Sequence, residues 1–83
     1  MSHERLAALI LARQEALLSD EKHSITHEAI LSILKGLDRG DFTEGQALRF
    51  LGYQALRWAD VPAYAALYRQ AAADIRQMQR EEH

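Results

Sequence analysis

"RGDFTEGQ", residues 39–46, lies near the middle of an 83-residue chain and holds two of its four glycines. It admits three readings: an adhesive Arg-Gly-Asp tripeptide, a cation-binding loop, or a turn between helices. Gly40 stands where a helix ends in the left-handed conformation that glycine adopts without steric cost. Asp41 or Thr43 can then cap the next helix, and Thr43 with Gln46 has capping-box spacing, with Phe42 placed to staple against Ala47. A calcium loop counted from Asp38 would put Gly40 and Phe42 at ligand positions and Arg49 where a bidentate Glu is needed, so the cation reading fails on its ligands. The tripeptide is read as a C-cap followed by an N-cap, and the stretch as a turn.

Working outward from that turn, apolar residues recur at helical spacing on both sides. A first helix is expected after Ser2, a candidate N-cap, to about Leu18, with Leu6, Leu9, Ile10 and Leu17 on one face. "SDEKHS" (19–24) interrupts it with short polar residues that compete for backbone hydrogen bonds. Ser24 or Thr26 can cap the second helix, whose face is Ile30, Ile33, Leu34 and Leu37. The third is expected over Thr43–Ala59, and the fourth from Asp60, with Pro62 in its first turn where a missing N–H costs little. Tyr64, Leu67, Tyr68, Ala71, Ile75 and Met78 then share a sector of about 100°, with Arg69, Arg76 and Arg80 opposite. Short connections make antiparallel neighbours the default. The expected fold is all-α: one domain over 1–83, a compact bundle of about four short antiparallel helices, and a dimer, because so short a chain buries only a small core.

Composition narrows the function classes. Without cysteine there is no disulfide framework and no thiolate metal site. The longest apolar run, Leu6 to Ala12, is far short of the roughly 20 residues that span a bilayer, and no signal-peptide pattern precedes it. A soluble, cytoplasmic protein is expected. Ten Lys plus Arg against twelve Asp plus Glu give a net charge of −2, which argues against the basic footprint of a nucleic-acid binder. No nucleophile with a base, no phosphate-cradling glycine loop and no paired carboxylates can be picked out, so neither catalysis nor a cofactor is expected.

Function should show where the binary pattern is violated. Arg13 falls within the first helix's apolar stripe and must be paired or face an interface, since burying it alone would cost several kcal/mol. Asp74, at the edge of the fourth helix's apolar face, is the preferred partner, with Asp38 second. The third helix carries apolar residues, Leu56 among them, over more than half its circumference. Phe50 then appears on its polar side beside Tyr53 and Arg57, with Arg49 nearby, a combination of aromatics and arginine typical of interface anchors. His23 and His27 stand four apart, a spacing that can bring two imidazoles together, but a zinc site needs a further ligand; solvated loop histidines are expected, with no metal.

"EGQALRFLGYQALRWAD" (44–60) is similar to the first half of a helix-turn-helix of the excisionase kind, in which an Ala-containing helix ends in Leu-Gly before a turn and a recognition helix. It departs from that pattern after Leu51-Gly52, where Tyr53 leads directly into "QALRW" with no polar turn. One continuous helix is the better reading, with Gly52 allowing close approach of a neighbour at about 1 kcal/mol in propensity. The function expected is that of a small non-enzymatic regulator or inhibitor, of the kind encoded by phages and other mobile elements, which occludes or modulates another protein through the face of Arg49, Phe50, Tyr53 and Arg57. The alternatives are a DNA-associated regulator using Arg-bearing helices, and a structural subunit of a larger assembly.

Overall fold

The computed structural model describes residues 2–81, which form four helices and no strand: α1 (Ser2–Ser19), α2 (Ser24–Arg39), α3 (Glu44–Arg57) and α4 (Pro62–Glu81). The central turn decides the topology. Gly40 has φ 79° and ψ 18°; its N–H donates to Leu37 O at 3.2 Å and that of Asp41 to Gly36 O at 2.9 Å, the paired bonds of a Schellman ending. Thr43 then caps α3 in a reciprocal box: its hydroxyl accepts from Gln46 N at 3.1 Å, and Gln46 Oε1 accepts from Thr43 N at 2.9 Å. Asp41 does not cap; it pairs with Arg39 at 3.2 Å. Phe42 packs edge-on against Phe50, with centroids 5.2 Å apart. Its ring also lies over Gly36, where a Cβ would come within 2.6 Å of two ring carbons.

Other boundaries shift from the sequence expectation. Ser2 lies inside α1 rather than ahead of it. A single 3-10 turn, Glu21–His23, runs straight into α2, whose start has no side-chain cap, so neither Ser24 nor Thr26 serves as one. Thr26 is buried instead. Helix α3 ends at Arg57, two residues early, because Trp58 takes a non-helical conformation. Helix α4 opens at Pro62 rather than Asp60, with Val61 O accepting from Tyr64 N and Ala65 N.

Sequence neighbours fold back on each other, so α1 packs chiefly on α2, and α3 on α4; α4 also meets α1, and both α3 and α4 meet α2. An ion pair of 3.2 Å from Arg5 to Glu81 joins the start of α1 to the end of α4. The core draws Leu6 from α1, Ile30 and Leu34 from α2, Leu51 from α3, and Ile75 and Met78 from α4. Alanines 47, 55, 65, 71 and 72 are buried on α3 and α4, and side chains this small let the second hairpin close tightly. The Cα radius of gyration is 12.1 Å, against about 12 Å for a packed globule of this length. No helix among the described residues is long and apolar enough to cross a membrane.

Candidate interaction surface

Two features stand apart from ordinary core packing: a polar network folded inward between α1 and α2, and an apolar, arginine-rimmed face turned outward on α3 and α4.

The network begins at Arg13, half-buried on α1. Its Nη1 donates to Nδ1 of His27 at 3.1 Å. Because a guanidinium can only donate, Nδ1 accepts, the ring proton sits on Nε2, and Nε2 donates to Asp20 Oδ2 at 3.1 Å. His23 Nδ1 donates to the same carboxylate, at 3.0 and 2.8 Å. These bonds hold the Asp20 carboxyl below its ordinary value, His27 contributing most and His23 next. Burial pulls the Arg13 guanidinium down, and the charge of Asp74 partly opposes it. Arg13 and Asp74 line one cleft of about 220 Å³ with Leu9, Leu34 and Ala71; the direct contact of Arg13 is His27, while Asp74 accepts from Gln70 at 2.9 Å.

The expectation of solvated loop histidines is therefore corrected. His27 is 3% exposed, with its ring centroid 6.5 Å from that of His23. The imidazoles do converge, and what they share is a carboxylate: Nδ1 of His23 and Nε2 of His27 are both committed to Asp20. The missing signal was that a 3-10 turn brings Asp20 back over both rings. His23 also meets Tyr64 edge-on at 5.9 Å, and Tyr64 meets Trp58 at 5.3 Å, so an aromatic chain ties this connector to the second hairpin. Burial raises the Tyr68 phenol above its ordinary value, opposed by the neighbouring Thr26 hydroxyl and by the charge of Arg57.

The outward face lies on α3. Phe50, Tyr53 and Leu56 are 46%, 63% and 76% exposed. The four residues singled out in the sequence fall into two adjoining strips. Arg49 and Tyr53 line a groove of about 480 Å³ between α3 and α4, whose α4 wall carries Arg69 and Arg76 and whose floor includes Leu51, Ala55 and Ala72. Phe50 leans on Phe42 beside this groove, and the Arg57 guanidinium lies 5.9 Å from the centre of the Trp58 ring. Three further groove residues were placed otherwise by the sequence reading: Leu56 within the apolar arc, and Arg69 and Arg76 on the wet side of α4. Helical spacing assigns a side chain to a sector, but only the neighbour's position shows which sector borders a groove.

Gly52 was expected to admit a packed neighbour. It lines the groove, and a Cβ there would meet nothing within 4 Å. No family model matches the chain, and no curated protein or solved structure matches it.

Proposed function

We propose that this chain is a small non-enzymatic regulator or inhibitor that binds another protein through the outer face of α3. The observation that carries this reading is the exposure of Phe50, Tyr53 and Leu56 along one helix, flanked by Arg49 and Arg57. Large apolar and aromatic side chains grouped beside arginine are the composition of an interface core, whereas isolated exposed leucines need no explanation. The face sits on a helix capped at its start by a complete box and packed along its inner side, so it is preformed and little ordering opposes binding. Covering a functional surface of the partner is the mechanism that such a rigid face permits. The protein is read as a cytoplasmic homodimer, since a chain of this size gains stability by association, and as of a kind carried by phages and other mobile elements, an analogy from its size alone.

The test is affinity capture from native lysate, with nuclease and at moderate salt, using the wild type and the Phe50→Ala and Arg57→Ala variants. A stoichiometric protein held by the wild type and lost by folded variants is the expected result. Recovery of nucleic acid alone in a parallel capture without nuclease, lost steeply as salt rises through release of counterions, would favour DNA association through the arginines instead.

A further inference from the structure

The groove between α3 and α4 combines three features that nothing among the described residues explains. Arg49, Arg69 and Arg76 line it, while no aspartate or glutamate among the described residues does. These guanidinium groups form no ion pair among the described residues, although the chain as a whole carries a net charge of −2. Tyr53 and Leu56 stand exposed along one wall, over a floor of Leu51, Ala55 and Ala72. Gly52, mid-helix in α3, is exposed in the groove and has open space where its side chain would be.

Gly52 gives the most specific information. A glycine inside a helix lowers its stability relative to alanine, and a close intramolecular contact, as at Gly36 under the Phe42 ring, is the usual reason to keep one. At Gly52 that reason is missing. The remaining benefit of a bare backbone is that something outside the chain can approach it closely.

We propose that this groove receives one acidic amphipathic helix of the partner protein. Its apolar stripe would lie over Gly52 between Leu56 and Ala72, and its flanking carboxylates would pair with Arg49 on one side and with Arg69 and Arg76 on the other. Arg69 and Arg76 are two helical turns apart on one side of α4, about 10 Å along its axis, which matches carboxylates one heptad apart on the incoming helix. Arginine suits such pairs because its fork meets a carboxylate with two parallel hydrogen bonds. The apolar floor favours a helix over a nucleic-acid backbone, which would leave Leu56 and Tyr53 unused. This inference rests on the protein-binding reading and names the chemistry of its partner.

The experiment is titration of the labelled full chain, followed by amide chemical shifts, with a designed peptide of about 18 residues bearing a leucine stripe flanked by glutamates, and with the same peptide carrying lysine for glutamate. Shifts confined to Arg49–Leu56 and Arg69–Arg76 with the acidic peptide alone are expected. Arg69→Glu and Arg76→Glu should each weaken binding about tenfold. Gly52→Ala, entering open space, should raise Tm and yet weaken binding, and Gly52→Leu should abolish it in a folded protein; a merely structural glycine would not divide stability from binding in this way. The proposal is overturned if the acidic peptide leaves the groove signals unmoved up to about 1 mM, if the lysine peptide binds as well, if duplex DNA moves the same signals, or if they move only with the protein's own concentration, which would make a second copy the occupant. A lysate partner retained by Gly52→Leu but lost by Phe50→Ala would sink the groove while leaving the protein-binding reading standing.

Discussion

The two hairpins handle charge in opposite ways. Between α1 and α2, Arg13, His27, Asp20 and His23 are turned toward one another, and the ring at the centre of the chain is buried. Between α3 and α4 the packing is done largely by alanine, Leu51 and Ile75, and Arg49, Arg69 and Arg76 are left outside. A buried polar group must find a partner within the fold, because leaving it unsatisfied costs more than the bond itself contributes. An exposed arginine has no such obligation. The contrast teaches that Arg13, Asp20, His23 and His27 are committed to one another within the fold, whereas Arg49, Arg69 and Arg76 stand exposed at the groove.

That contrast breaks most visibly at His27. Replacing it by leucine strips the half-buried Arg13 guanidinium of its acceptor, and a loss of about 2–4 kcal/mol is expected in chemical denaturation. Next comes Gly36→Ala. Its Cβ would sit 2.6 Å from carbons of the Phe42 ring, so the ring must shift, and its lost packing, offset by about 1 kcal/mol of helix propensity, should leave a net loss of about 1 kcal/mol. Acid titration sharpens the comparison on the first hairpin. The Asp20 carboxyl is held below its ordinary value of 3.8 by His27 and His23, so its contribution to stability is present above that value and is lost as pH falls through the depressed native one. Asp20→Asn should remove that acid-limb dependence, read as Tm against pH. The smallest effect is expected from Arg69→Ala and Arg76→Ala, which should each change stability by less than about 0.5 kcal/mol. A larger loss would place these arginines in the fold and erase the distinction.

Much of the architecture is legible in the sequence because its punctuation is local. Gly40, Thr43 and Gln46 fix one helix end and one helix start through bonds no longer than a few residues, and the periodic face of α4 needs only helical spacing to be read. The exposed position of Phe50 beside Tyr53 and Arg57 follows in the same way. What escapes is whatever depends on two elements meeting. Asp20 looks like loop punctuation until a 3-10 turn carries it over both imidazoles, and His27 looks solvated until α1 closes on it. Arg69 and Arg76 read as a wet face, and Leu56 as part of a broad apolar arc, because the groove they border exists only once α3 and α4 are side by side. Gly52 is legible as an oddity, but only the structure shows that a Cβ there would meet nothing within 4 Å.

The most direct measurement pairs Tm with partner retention for one set of variants on each hairpin: Phe50→Ala and Arg57→Ala on the outer face, and Arg13→Ala and His27→Leu in the inner network. The outer set is expected to keep Tm within a few degrees and lose the captured protein, while the inner set loses Tm. Outer variants that remain folded and still hold the partner at wild-type level would contradict the assignment of α3 as the binding face.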